Sequence, residues 1–328
     1  MTRRSEMTAR PSGIDPAAVR ATLRAAGLRA RASLSQNFLA DPDVLEIILR
    51  AAEPTPGGRI VEIGPGLGIL TGALLEAGAD VTAIELDRGL AAFLRDAHAD
   101  AIARASASAA EPEWPAAEPE PAADREPARP GRLRLIEGDA LDLDLVGLEP
   151  PPYDVVANIP YHITSPILHA FLGGAPRPRR IVLMVQREVA ERIAAPPGGM
   201  SYLSVFVQYH AKIRIAAIVP PDAFEPAPKV ASAIVVLEPY PDDDRLADDA
   251  AEDALWRLVQ ASFRERRKML HNVLVRQLSV PRDVVERALA AADIAADRRP
   301  QTLAVGEWLK LLEAMGPIAP DARGRKAE

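Results

Sequence analysis

Five short apolar runs, at residues 59–63, 81–84, 133–136, 153–157 and 180–186, constrain this chain most strongly. They are nearly continuous rather than alternating, so each predicts a strand buried on both faces. Helical patterns lie between them, at 69–77 and from Asp87 onward. Strands that alternate with helices in this way predict an α/β fold with a mostly parallel, doubly covered sheet. Two later runs, near 213–219 and 231–237, would complete it. At 328 residues the chain is long enough for a second, smaller domain.

The flanking segments have a different character. Residues 1–32 read as a basic leader with one short helix near 16–26. Residues 33–240 hold the predicted sheet, interrupted at 106–130 by an Ala, Pro and Glu stretch whose composition predicts a disordered insertion. Residues 241–253 read as an acidic linker. Residues 254–316 carry helical periodicity with no strand signal, and 317–328 form a polar tail. There is no cysteine, which excludes disulfides, a thiolate metal site and a cysteine nucleophile, and fits a cytoplasmic protein. The five histidines lack metal-binding spacing, so no metal is expected. No run approaches membrane-spanning length.

The net charge of −7 argues at first against a nucleic-acid partner. Its distribution argues the other way. Residues 257–282 carry six arginines and Lys268 against the single acid Glu265. Arg264, Arg266, Arg267 and Lys268 are expected on one helix's middle, and Lys229 follows a proline-stiffened loop. A local basic face matters more for phosphate contact than the total charge. A solvated helix face is the plainer reading of the same run.

Polar residues stand where the strands end, which is where open α/β sheets bind ligands. The first strand runs into Gly64-Pro65-Gly66-Leu67-Gly68. This turn lets backbone approach a ligand but is one residue short of a dinucleotide-binding loop. The second strand ends at Glu85, which can accept hydrogen bonds from both hydroxyls of a ribose. The third runs into Gly138-Asp139-Ala140, whose carboxylate could take an adenine amine. Together they describe a nucleoside cofactor without a pyrophosphate. S-adenosylmethionine fits, and NAD fits less well. The fourth strand is followed by Asn158-Ile159-Pro160-Tyr161. The Asn158 amide oxygen and the Pro160 carbonyl can accept two N–H bonds from an exocyclic amine, with Tyr161 stacking on the base. An ordinary strand-to-loop turn would use the same residue types.

These motifs, in this order, resemble the ribosomal RNA adenine N6,N6-dimethyltransferases, and within them the bacterial small-subunit branch. Further signatures are Ser35-Gln36-Asn37-Phe38-Leu39, Phe224-Glu225-Pro226-Ala227-Pro228-Lys229-Val230 and Phe263-Arg264-Glu265-Arg266-Arg267-Lys268. The resemblance spans roughly residues 30–315. It implies a Rossmann-like class I S-adenosylmethionine-dependent methyltransferase sheet with a small C-terminal helical domain that binds RNA. It also implies roles. Asn37 and Leu39 would contact the cofactor from the N-terminal side, Gly64 would lie under its methionine part, Glu85 would hold its ribose and Asp139 its adenine. Asn158 would serve both cofactor and target amine, and Tyr161 and Phe224 would sandwich the flipped adenine. The implied reaction is dimethylation of two adjacent adenosines of 16S rRNA in the 30S particle or its precursor; a monomer is the default expectation, with the oligomeric state open. Ser35 stands where the family usually has glycine, and His162 where asparagine is common. A methyltransferase acting on 23S rRNA and a non-catalytic ribosome-assembly factor are the competing readings.

Overall fold

The computed structural model describes residues 14–108, 130–241, 249–316 and 318. Helix α1 (Pro16–Ala25) starts at Asp15, whose side chain accepts the Ala18 N–H at 2.8 Å. Proline at the first helical position has no N–H to leave unpaired. After the two-residue strand β1 (Phe38–Leu39), helix α2 (Pro42–Ala52) repeats the device with Asp41 and Pro42. Its buried residues Val44, Leu45, Ile48, Ala51 and Ala52 keep helical spacing and pack into the main core.

The next elements alternate as the apolar runs predict: β2 (Arg59–Ile63), α3 (Ile69–Glu76), β3 (Asp80–Glu85), α4 (Arg88–Ala97), α5 (Ala99–Ser108), β4 (Leu133–Glu137), β5 (Asp154–Asn158), α6 (Thr164–Gly173), β6 (Arg180–Gln186) and α7 (Arg187–Ile193). Then follow α8 (Tyr202–His210), β7 (Ala211–Val219), β8 (Phe224–Glu225) and β9 (Ser232–Pro239). The insertion expected at 106–130 and the acidic linker lie largely outside the described residues.

Seven strands form one sheet in the order β4-β3-β2-β5-β6-β9-β7. Pairings among β2 to β6 are parallel, and β6–β9 is antiparallel, from Ile181↔Leu237 to Gln186↔Ser232. From β2 the chain winds outward through β3 and β4, then returns to place β5 on the other side of β2. The strand order therefore reverses between β2 and β5, where open α/β sheets bind ligands. The register Ile63↔Ala157 brings Gly64, the residue after β2, and Asn158, the last residue of β5, side by side. A separate ribbon pairs β1 with β8 antiparallel, Phe38↔Glu225 and Leu39↔Phe224.

The chain forms two compact units. One takes in the described residues up to Ala190 and Arg214–Pro239; the other takes in Glu191–Ile213 and those from Tyr240 onward. This corrects the expectation of an uninterrupted sheet domain over 33–240, because α8 belongs to the helical unit. Its Val205 and Tyr209 pack in one core with Leu255, Leu258, Leu274, Leu289 and Trp308. The helical unit continues with α9 (Asp249–Phe263), α10 (Leu270–Leu278), α11 (Arg282–Ala291) and α12 (Val305–Met315). Residues 264–269 break the helical pattern between α9 and α10. The basic cluster Arg264, Arg266, Arg267 and Lys268 therefore lies in a turn, not in the middle of a helix. No helix among the described residues is long and apolar enough to cross a membrane.

Candidate functional site

A cavity opens at the C-terminal ends of β2, β3, β4 and β5. Its wall includes Asn37, Leu39, Gly64, Gly66, Glu85, Asp139, Asn158, Pro160 and Tyr161. Residues from four strand ends and from the N-terminal segment are thus brought together. Gly64 has φ 68°, in the left-handed region, and a Cβ there would sit 3.8 Å from the Asn158 carbonyl oxygen. Gly66, at φ 60°, lies against Phe38: a Cβ would meet the ring at 3.1 Å. Glycine at these two positions lets the turn fold back over the sheet edge.

Two buried carboxyl groups line the cavity. Glu85 is 5% exposed and accepts the Gly66 N–H at 3.0 Å on one oxygen and the Asp87 N–H at 2.8 Å on the other. Burial pushes its carboxyl above the usual range; the two backbone donors pull it back in part, and the charge of Asp87 pushes it up again. Each oxygen keeps a lone pair for a ligand hydroxyl. Glu62 is 1% exposed and accepts the Thr71 hydroxyl at 2.7 Å. Burial raises it to about 8, the Thr71 bond offsets part of that, and the nearby Glu85 charge adds to it. Glu62 is therefore mostly protonated at neutral pH. Sequence patterns give no hint of this, since Glu62 is one polar letter inside an apolar run.

Asp139 is half-buried, and its Oδ1 accepts the Leu141 N–H at 2.9 Å, which leaves Oδ2 for a ligand. The cavity wall holds no lysine or arginine among the described residues. Two phosphates would find no cationic partner there, whereas a phosphate-free, positively charged nucleoside matches the acidic wall.

The Asn158 side chain donates from Nδ2 to the Asn37 carbonyl at 3.2 Å, which assigns Oδ1 as the free acceptor. The Pro160 carbonyl accepts the Ile163 N–H at 3.1 Å and retains its second lone pair. Tyr161 is half-buried, and its hydroxyl pairs with Ser232 Oγ at 2.8 Å. Ser232 is fully buried at the start of β9 and fixes the end of the ring. It is 71 residues away in sequence, and no local pattern singles it out.

Phe224 is placed differently from the expectation. It is 2% exposed, pairs with Leu39 in the ribbon, and packs in the main core with Ile48, Val219 and Ala223. It is absent from the cavity wall among the described residues, where Tyr161 and Phe38 are present. The remaining predicted residues, Lys229, Arg264, Arg266, Arg267 and Lys268, are exposed outside the cavity. Within the turn, Glu265 accepts from Arg276 at 2.6 Å and from Gln277 at 2.9 Å, which ties the loop to α10.

Comparison with known proteins bears directly on this site. Residues 27–102 and 123–315 match the family described as ribosomal RNA adenine dimethylase. The chain is 40% identical over 310 residues to "Ribosomal RNA small subunit methyltransferase A" of Anaeromyxobacter sp. (strain K), covering 90% of this chain and 97% of that protein. The protein of the same name from Thermosynechococcus vestitus is 39% identical over 295 residues, covering 88% and 97%. Among solved structures, a dimethyladenosine transferase from Plasmodium falciparum superposes with TM-score 0.65 at 26% identity, covering 84% of this chain and 95% of that one. The 23S rRNA methyltransferase ErmE superposes with TM-score 0.62 at 27% identity, covering 85% and 99%. The extent and order of these matches, together with the strand-end residues they contain, place this chain in the ribosomal RNA adenine dimethylase family.

Proposed function

We propose that this chain transfers methyl groups from S-adenosylmethionine to the N6 amines of two adjacent adenosines in the 3'-terminal hairpin loop of 16S rRNA. The substrate would be the 30S subunit or its precursor late in assembly, met in the cytoplasm by a monomer. The observation that carries the reading is Asn158, whose amide is oriented by Asn37 at the sheet's reversal point with its oxygen left to accept. The small-subunit assignment over the 23S one rests on relatives at 40% identity against 27% for the 23S enzyme.

S-adenosylmethionine, when bound, supplies a methyl group on a positively charged sulfur. Glu85 would hold its ribose, Asp139 its adenine amine, and Gly64 and Gly66 would let the backbone lie close to its methionine part. Asn37 and Leu39 would close the other side. For the target, Asn158 Oδ1 and the Pro160 carbonyl would each accept one N–H of the adenine amine. Two such bonds favour a more pyramidal nitrogen, freeing the lone pair otherwise delocalised into the ring. The neutral amide keeps a further carboxylate charge out of the pocket, and positioning supplies most of the acceleration. The amine proton becomes acidic only as the new bond forms, so no strong base need precede attack.

Extruding the adenine costs a few kcal/mol. Stacking on Tyr161 returns about 1–3 kcal/mol. Phe224 would add a second face only after the β1–β8 ribbon shifts it out of the core. Arg264, Arg266, Arg267, Lys268 and Lys229 would contact RNA phosphates.

The deciding experiment is methyl transfer from labelled S-adenosylmethionine to undermethylated 30S and 50S particles, with the modified nucleoside identified. Dimethyladenosine in 30S RNA alone is expected. Label in 23S RNA would overturn the small-subunit assignment. No label in either, with cofactor bound, would leave a non-catalytic assembly factor. Asn158→Ala is expected to lower transfer at least about 100-fold with RNA binding retained; normal turnover would sink the mechanism. Changing Arg266, Arg267 and Lys268 together to glutamine should weaken RNA binding and flatten its salt dependence by about two to three units of log–log slope.

A further inference from the structure

We propose that Asp87 is a positioning residue whose carboxylate latches residues 31–37 over the cofactor cavity. The inference rests on the cofactor reading above and extends it to Asp87, which that reading leaves without a role.

Residues 34–37 form one wall of the cavity. They are short of regular structure, and Ser35 takes a left-handed conformation at φ 51°, ψ 35°. Four contacts fix this strap. The Arg31 N–H donates to Gln36 Oε1 at 2.8 Å, which closes residues 31–36 into a loop. Gln36 Nε2 then donates to Asp87 Oδ2 at 3.2 Å, and Arg31 Nε approaches the same oxygen at 3.2 Å. At the far end, the Asn37 carbonyl accepts from Asn158.

The other side of Asp87 is equally committed. Its Oδ1 accepts the Gly89 and Leu90 N–H groups at 2.8 and 3.3 Å and so caps α4, while its own N–H donates to Glu85. A helix cap needs only one carboxylate oxygen. The second oxygen goes to the strap alone. Asp87 is also 4% exposed, whereas a cap with no further role can stay in solvent. One residue thus joins the carboxylate beneath the cavity to the strap beside it, and the strap joins Asn158. For ligand to leave past this wall, the strap must give up the Asp87 contacts. Its release also frees the Asn37 carbonyl that orients Asn158.

The test compares Asp87→Asn and Arg31→Met with the unaltered full-length chain. Asparagine still caps a helix, so α4 keeps its start. Replacing a charge-assisted contact by a neutral one should raise the dissociation rate of S-adenosylhomocysteine about tenfold. The cofactor KM should rise in parallel, with a smaller change in kcat. Backbone hydrogen exchange over residues 31–39 should quicken in both variants even without ligand. The double variant should be no worse than the worse single one, because both changes break one contact. Unchanged dissociation and unchanged exchange in the variants would overturn the latch. An unaltered chain that fails to bind S-adenosylhomocysteine would overturn the cofactor reading instead, and the ligand-free exchange comparison would still decide the latch.

Discussion

At the N-terminal edge of the sheet, buried aspartates face arginines; at the C-terminal edge, buried glutamates face a cavity. Asp80 opens β3 and is gripped by Arg132, whose Nε reaches Oδ1 at 3.1 Å and whose terminal nitrogen reaches Oδ2 at 3.0 Å. Asp154 opens β5 and receives Arg179 in the same two-pronged way, at 3.0 and 2.6 Å. Glu62, one residue before the end of β2, and Glu85, at the end of β3, have among the described residues only a hydroxyl and backbone N–H groups as partners, and both are pushed toward the neutral form. One edge spends its acids on joining strands. The other holds them desolvated and uncompensated, a state that a positively charged ligand would relieve. Perturbed acids lining a cavity mark function; paired acids away from it mark architecture.

Paired substitutions should break this contrast if it is wrong. Asp80→Ala removes both carboxylate oxygens that grip the Arg132 guanidinium, which is about as buried as its partner, and should cost about 3–5 kcal/mol of folding stability. Chemical denaturation measures it. Glu85→Gln keeps an acceptor for one backbone N–H and sets an amide N–H against the other, which should cost about 1–3 kcal/mol at most, less than the loss at Asp80. Its S-adenosylhomocysteine affinity should fall by roughly 10–100-fold, read by calorimetric titration. A stability loss at Glu85 as large as that at Asp80, with binding intact, would make the two edges equivalent.

How far each edge can be read from sequence follows from the same physics. Buried parallel strands announce themselves as apolar runs, and the observed β6 (Arg180–Gln186) coincides with its run. The residues after those runs sit at the ligand edge by topology alone, which is why Gly64, Glu85, Asp139 and Asn158 converge as expected. Pairings made across long separations carry no local signal. The β1–β8 ribbon is two residues deep and joins positions 187 and 185 apart, and it draws Phe224 into the core. The clasp of Arg31 and Gln36 on Asp87 is invisible for the same reason. Helix α2 did carry a signal, in the Asp41-Pro42 start and helically spaced apolar residues. The basic turn misleads because arginine and lysine favour helices, while Glu265 bonded to Arg276 and Gln277 accompanies a turn.

Glu62 sharpens the contrast through pH. Its folded carboxyl titrates near 8 against 4.5 for the ordinary value, so between those limits the folded chain holds a proton that the unfolded chain has lost. Stability must therefore fall as pH rises through that window, by up to about 1.4 kcal/mol per pH unit from this group, and level off above it. Glu62→Gln keeps an acceptor for Thr71 and cannot ionise. Near pH 5 it should match the unaltered chain; across pH 6 to 7.5 it should gain about 2 kcal/mol relative to it. Denaturant midpoints at a series of pH values give both curves. Part of the upward push comes from the charge of Glu85, so the Glu85→Gln background should narrow the window from its upper end. Parallel curves for Glu62→Gln and the unaltered chain would mean that Glu62 is ionised in the folded state, and the ligand edge would then hold its acids no differently from the edge where arginines pair them.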